Sequence, residues 1–354
     1  MKTKTRYSIG VMSGTSLDGV DICYVRFDYG LEYTFQIIKA VTISYPENWK
    51  ENLQNAFDGD AAYLKRLDIE YGVYIGDLVH QFCQENSINN IDFIASHGHT
   101  IFHKPEEGYT LQIGDGQTIA DIVQFPVVCD FRTQDVELGG QGAPLVPIGD
   151  ELLFCNYDYC LNLGGFANIS FKEGNKRIAF DICPVNIVLN YYVNGLGLPF
   201  DDKGKLASSG KVHLELLDAL NGLEFYSRPY PKSLGLEWVV EFIFPLIDTY
   251  KLEIKDVLRT FIEHVAFQIA EVVQNDSKIL ITGGGAFNDF LVQRIEHYLQ
   301  QKVELPVNEI IDYKEALIFA FLGMLRIEGQ VNCLKSVTGA SKDHSSGKIF
   351  TPLK

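Results

Sequence analysis

No stretch of the chain approaches the roughly 20 consecutive apolar residues that a membrane-spanning helix needs. Residues 1–6 lead straight into an apolar strand rather than into the apolar core of a secretion signal, so a cytosolic location and no membrane partner are expected. Positive charge is scarce: 30 Lys and Arg face 46 Asp and Glu, a net charge of −16. That balance excludes a general nucleic-acid binder, whose phosphate partners demand basic surface, but a single nucleotide needs only a local site. Paired cysteines are missing too. The seven cysteines form no C-x-x-C and no metal-ligand spacing, so Cys23, Cys129 and Cys160 read as reduced core residues and no metal site is assigned. Two common phosphate-binding fingerprints are absent. No lysine follows a glycine turn as G-x-x-x-x-G-K-[ST] requires, and there is no G-x-G-x-x-G with an acidic ribose ligand. Nor does any segment have the composition of a disordered linker, which leaves structured crossings between domains.

What is present is a strand that runs into a turn of small residues, and it recurs. Tyr7 to Met12 is apolar and extended, Ser13-Gly14-Thr15-Ser16 offers closely spaced backbone N–H groups and hydroxyls, and Val20 to Phe27 returns antiparallel. Such a turn lets backbone donors approach a triphosphate, although one alone is an ordinary hairpin. A second copy runs through Leu161-Asn162-Leu163-Gly164-Gly165-Phe166 and continues by the turn at 173–175 into Arg177–Asp181. A third glycine run, Gly283-Gly284-Gly285, follows the apolar Ile279–Ile281. Two similar β-rich segments about 150 residues apart predict a duplicated nucleotide-binding architecture.

At 354 residues the chain is long enough for two domains. Helical periodicity is expected over 60–86, 186–194, 211–220, 253–275, 290–299 and 313–327. Strands followed by helices in each half predict α/β domains with mixed sheets. The expected division is 1–130, binding phosphate and sugar, and 131–354, binding nucleotide, with the C-terminal helix or tail packing back on the first domain.

The pattern resembles the sugar kinase, actin and heat-shock ATPase superfamily, and the motifs resemble one family within it. These are Gly10–Asp21, Ser96–His103, Thr110–Gly116, Asp130-Phe131-Arg132, Gly139–Pro147, Asn162–Asn168, Pro231–Gly235, Thr282–Asn288 and Glu315-Ala316-Leu317. Together they are similar to anhydro-N-acetylmuramic acid kinase over nearly the whole chain. Two places depart from that family: Gly98-His99-Thr100 stands for Gly-Gln-Thr, and Asp181-Ile182-Cys183-Pro184-Val185-Asn186 stands for Asp-Thr-Gly-Pro-Gly-Asn.

The resemblance implies a two-domain actin-like (ribonuclease H-like) ATPase fold, mixed sheets flanked by helices, with a cleft between the domains. It implies ATP and Mg²⁺ as cofactors and a small sugar as partner; a homodimer is compatible with this class. The reaction would hydrolyse the anhydro ring of 1,6-anhydro-N-acetylmuramic acid and phosphorylate O6 in cell-wall recycling. A kinase for a different amino or anhydro sugar, and a non-catalytic ATP-binding sugar sensor, stay open as alternatives.

Asp181 ends an expected strand and enters a turn closed by Pro184, so it projects at a sheet edge. From the residues alone a general base and a helix N-cap are equal readings; the resemblance favours the base. Ser13, Gly14, Thr15, Ser16, Asp18, Gly19, Asn162, Gly164 and Gly165 are the expected phosphate contacts, and Gly283, Gly284 and Gly285 are expected beneath the adenosine. Arg132, whose planar fork suits a lactyl carboxylate, is assigned to the sugar with Glu315 and His97. His97, His99 and His103 form H-x-H-x3-H, but no fourth ligand stands nearby and zinc is not assigned.

Overall fold

The computed structural model describes residues 3–14 and 17–353, and the chain divides into two compact units. One comprises residues 1–153 and 313–354, the other residues 154–312.

In the first unit β1 (Lys4–Ser13), β2 (Gly19–Tyr29) and β3 (Tyr33–Ser44) form an antiparallel meander. β4 (Phe93–Ser96) returns parallel to β1, and β5 (His99–Lys104) pairs with β6 (Tyr109–Ile113) as a separate hairpin. β7 (Val127–Cys129) lies parallel to β4, and Lys348–Phe350 closes the edge antiparallel to β7. Residues 8–13 of β1 are buried on both faces, as befits a strand with helices on either side. The helix Ala61–Glu85 starts where the Asp60 carboxylate accepts from Tyr63 N at 2.8 Å. It sets Leu67, Tyr71, Ile75, Leu78 and Phe82 into one core at three- and four-residue steps.

The second unit repeats this design. β8 (Tyr159–Leu163), β9 (Phe166–Glu173) and β10 (Lys176–Pro184) form an antiparallel meander, and β11 (Ile279–Thr282) lies parallel to β8. The order β3-β2-β1-β4 of the first sheet thus recurs as β10-β9-β8-β11. A further parallel bridge, Leu280 to Glu304, extends β11 as β7 extends β4. Helix Ile254–Ala270 buries Val257, Leu258, Phe261, Ile262, Val265 and Ile269 beneath this sheet. The α/β, actin-like class and the duplication both stand in these two sheets.

The observed division leaves residues 131–153 with the first unit, where the sequence placed the break after 130. Packing accounts for the difference. Phe131 meets Phe319 with ring centroids 5.6 Å apart, Gly149 lies against Ile318, and the buried Asp150 carboxylate pairs with Lys314 Nζ at 2.7 Å. Each contact ties the 131–153 stretch to the C-terminal segment that shares its unit.

Candidate active site

In the second unit the strand register assembles a polar row that no single motif contains. Thr282 on β11 faces Asn162 on β8, Asn162 faces Asn168 on β9, and Asn168 faces Asp181 on β10. Residues directly opposite across neighbouring strands share a sheet face, so four polar side chains line up across four strands. Thr282 Oγ1 is buried with no hydrogen-bond partner, an orphan donor of the kind a ligand satisfies. Asn168 and Thr282 carry no local signal of a functional role, because their place in the row depends on register.

Asp181 sits at an irregularity in that register: Asn168 pairs with Asp181, but Ala167 pairs with Cys183, leaving Ile182 as the extra residue of a β-bulge. The loop at 231–235 grips the aspartate from outside the strand. Asp181 N donates to Lys232 O at 3.0 Å, and Leu234 N donates to Asp181 Oδ2 at 2.8 Å. Burial pushes the carboxyl up to about 6, against the pull of the Leu234 N–H. Where a turn was expected after Phe180, β10 continues to Pro184 and a helix starts at Asn186. The lost glycines are accounted for by packing, since Ile182, Cys183 and Val185 all lie in the hydrophobic core and none has a positive φ. Asn186 holds the turn before β9 in place by donating from Nδ2 to Leu163 O at 3.1 Å.

The expected nucleotide glycines fall into two groups. A Cβ on Gly283 (φ +82°) would stand 2.5 Å from Asn162 Oδ1, and one on Gly285 would stand 2.7 Å from Leu163 Cβ. Those two let the β11 turn close onto the end of β8. Gly165 and Gly284 are open instead, with no neighbour nearer than 3.8 Å to the position of a Cβ, and at Gly164 only the Asn162 side-chain amide stands close, at 3.3 Å. They leave a bare backbone surface beside the polar row, which suits the close approach of a nucleotide.

In the first unit, Thr15 and Ser16 lie outside the described residues, and Gly14 O accepts from Leu17 N at 3.4 Å. The Ser13 hydroxyl turns inward and is engaged by His99 Nδ1 at 2.9 Å, Tyr45 OH at 2.5 Å and Tyr71 OH at 2.9 Å. Burial lowers His99 to about 4, so it meets Ser13 as a neutral ring. Asp18 is exposed, and Gly19 allows β3 close approach, a Cβ there standing 2.5 Å from Ile43 O.

His97 and Arg132 form one device. His97 Nδ1 donates to Gly98 O at 2.9 Å, which leaves Nε2 to accept from Arg132 Nε at 3.0 Å and Nη2 at 2.9 Å. Burial and the adjacent guanidinium hold the imidazole well below its usual range, so it stays neutral. Arg132 Nη1 also donates to Gly142 O at 2.7 Å. Of five N–H donors in the guanidinium, two remain unspent, enough for one carboxylate. Glu315 is open to solvent, yet the protein atoms crowding its carboxyl raise its pKa, a rise that the Arg132 charge opposes. Arg132 itself is pulled down to about 10 by burial. His103 turns to Thr110, so the three histidines of the H-x-H-x3-H run serve different partners. The acid–thiol–imidazole group that does converge among the described residues is Asp135, Cys333 and His344, which sequence spacing hides.

Known proteins are similar to this chain over nearly its whole length. A protein from Saccharophagus degradans, named anhydro-N-acetylmuramic acid kinase, is 34% identical over 368 residues, covering 97% of this chain and 98% of its own. The protein of that name from Haemophilus influenzae is 34% identical over 379 residues, covering 98% of each. Among solved structures, gluconate kinase from Lactobacillus acidophilus aligns over 99% of this chain and 94% of its own, at 12% identity and a TM-score of 0.45, a distance at which likeness says nothing of activity. The family model for anhydro-N-acetylmuramic acid kinase matches residues 6–352, from the first strand to the edge strand that closes its sheet, and the chain belongs to that family.

Proposed function

We propose that this protein is an ATP-dependent kinase that opens 1,6-anhydro-N-acetylmuramic acid with water and phosphorylates O6, in the recycling of cell wall. The observation that carries the reading is Asp181: a carboxylate at a β-bulge, held by Leu234 N, with its pKa raised to about 6. A raised pKa brings the carboxylate nearer the working pH, where a general base is most effective. Asp181 takes a proton from water as the water oxygen bonds to C1 and the C1–O6 bond breaks. The electron pair of that bond stays on O6, which bonds to the γ-phosphorus as the bond to the β-phosphate oxygen breaks and ADP leaves. The open glycine surface of Gly164, Gly165 and Gly284 fits the nucleotide, with Asn162 and Thr282 beside it. Residues 13–18 are assigned to the phosphates as a segment, the Ser13 hydroxyl itself being occupied by Tyr45 and His99. Mg²⁺, when bound, would screen the charge of the triphosphate, and the exposed Asp18 carboxylate would be available to help hold it. A cytosolic location and a homodimer are both compatible with this reading.

Incubation with ATP, Mg²⁺ and the anhydro sugar is expected to give a product that has gained both a water and a phosphoryl group by mass spectrometry. Unchanged sugar beside slow ATP hydrolysis would overturn the reading in favour of another sugar or a sensor.

Arg132, steadied by His97, is assigned to the lactyl carboxylate, with Glu315 on the sugar's polar groups. Arg132→Lys keeps the charge and loses the two-pronged contact, so the KM for the sugar is expected to rise roughly 10- to 100-fold with little change in the KM for ATP. An equal rise in both constants would remove Arg132 from sugar binding.

A further inference from the structure

Helix Thr133–Glu137 and the segment before the edge strand bring three ligating atoms together at a place the kinase reading does not use. Asp135, Cys333 and His344 are all buried, and Asp135 Oδ1, Cys333 Sγ and His344 Nε2 lie within 4.8 Å of one another. Cys333 and His344 face each other at an antiparallel bridge, where Cys333 N donates to His344 O at 3.1 Å and His344 N donates to Cys333 O at 3.2 Å. Such a pair presents both side chains on one face, 10 residues of intervening loop notwithstanding.

Hydrogen bonding accounts for the carboxylate but not for the imidazole. Asp135 Oδ1 accepts from Cys333 Sγ at 3.1 Å and Thr338 Oγ1 at 2.8 Å, and Oδ2 accepts from Gly142 N at 2.7 Å. His344 Nδ1 lies 3.2 Å from Lys342 O, which can only accept, so the ring proton sits on Nδ1. That leaves Nε2 facing Asp135 Oδ1 from 3.5 Å, buried and without a hydrogen-bond partner. A proton or a metal ion between Nε2 and Oδ1 would satisfy both atoms, and the Cys333 thiol beside them favours the metal. A backbone carbonyl holding the far nitrogen is also how proteins commonly orient a metal-ligating histidine.

We propose that Asp135, Cys333 and His344 form a binding site for a thiophilic divalent cation of the zinc class. Tetrahedral zinc, with bonds of about 2.0 Å to N or O and 2.3 Å to S, places neighbouring donors roughly 3.3–3.6 Å apart. The separations of 3.1 and 3.5 Å from Asp135 Oδ1 are close to that, and the thiol and imidazole, within 4.8 Å of each other, would draw together on the ion. The cation displaces the Cys333 proton to solvent, and the Thr338 hydroxyl, no longer sharing Oδ1 with a thiol, keeps its bond to the carboxylate. The fourth position is left to a water. Uptake of a doubly charged cation with loss of the thiol proton takes the cluster from −1 to zero, so the site would pin residues 333–344 to the loop that carries Arg132 and withdraw the Asp135 charge that now acts on that guanidinium.

The test uses the full chain and metal alone, and its outcome is independent of kinase activity. After loading with Co²⁺ and desalting, one equivalent per chain is expected, with a near-ultraviolet thiolate-to-cobalt charge-transfer band. Cys333→Ser should abolish the band, and His344→Gln should weaken Zn²⁺ binding roughly 10- to 100-fold. Serine still donates to Asp135, and the wild-type spectrum stands whether or not a variant folds. No stoichiometric metal and no band in the wild type would overturn the proposal. So would a band that survives Cys333→Ser, or NMR showing His344 protonated on both nitrogens, which would make the cluster an ion pair.

Discussion

Asp181→Asn is expected to cut sugar-dependent turnover by roughly 10²- to 10⁴-fold, the range that a positioned general base supplies, while the protein becomes no less stable. The two effects share one cause. The carboxyl is buried enough to be raised from an ordinary value near 3.8 to about 6, so the fold disfavours its charged form. A group whose folded pKa lies above its unfolded one contributes its stability in full below the unfolded value, and loses it as pH rises through the folded one. For Asp181 that window runs from about pH 4 to about pH 6. At pH 7.5 the wild type carries the cost of a half-buried carboxylate, at most about 3 kcal/mol for a shift of some two units. The amide carries no charge and can still accept from Leu234 N, so thermal unfolding at pH 7.5 should show a Tm equal to or a few degrees above wild type. At pH 4 the difference should vanish. In the wild type kcat/KM should fall about tenfold per pH unit below pH 6, because the protonated acid takes no proton from water. An Asn variant that kept more than a tenth of wild-type turnover would show that another group is the base.

How far this site could be read from sequence depends on the range of the contacts involved. Strand–turn–strand segments are local, so β1, β2, β8, β9 and the duplication were legible, as were the helices with long apolar periodicity. The helix expected over 60–86 is observed at Ala61–Glu85, with Asp60 as its N-cap. Register was not legible. Asn162, Asn168, Thr282 and Asp181 share a row only because β11 and β10 lie where they do in the sheet, and a bulge of one residue at Ile182 fixes which way Asp181 points. Side-chain competition was hidden as well. Ser13 looked like a free hydroxyl in a phosphate turn, but Tyr45, Tyr71 and His99 come from three other elements to occupy it. The Asp135–Cys333–His344 group joins residues about 200 positions apart, beyond any ligand-spacing rule. Glycine misled in a different way: Gly283 and Gly285 are needed for packing, and their neighbour Gly284 is the open one.

Gly10→Ala is expected to do more damage than any other single-methyl change in the first unit, and through packing alone. Gly10 lies in the middle of β1, paired with Cys23 on one side and Ala95 on the other, so the strand is fixed by two neighbours and has no room to shift. The helix Asn308–Ile327 crosses directly over it. A Cβ at residue 10 would stand 1.9 Å from Ala316 O, 2.8 Å from Ala316 C and 3.0 Å from Ala320 Cβ. The obstacles are backbone atoms and a helical alanine rather than the mobile end of a side chain, so relief requires moving the helix. Overpacking of this kind costs about 3 kcal/mol or more, and Tm should drop by roughly 6–12 °C. Glu315 precedes Ala316 on the displaced turn, so the damage should also reach the sugar: KM for the sugar should rise in whatever fraction remains folded, while ATP binding at the glycine surface of the other unit is unaffected. Thermal unfolding and the two KM values together decide the matter. A variant as stable as wild type would mean that helix and strand do not approach this closely, and the close approach is what holds Glu315 where its charge acts on Arg132.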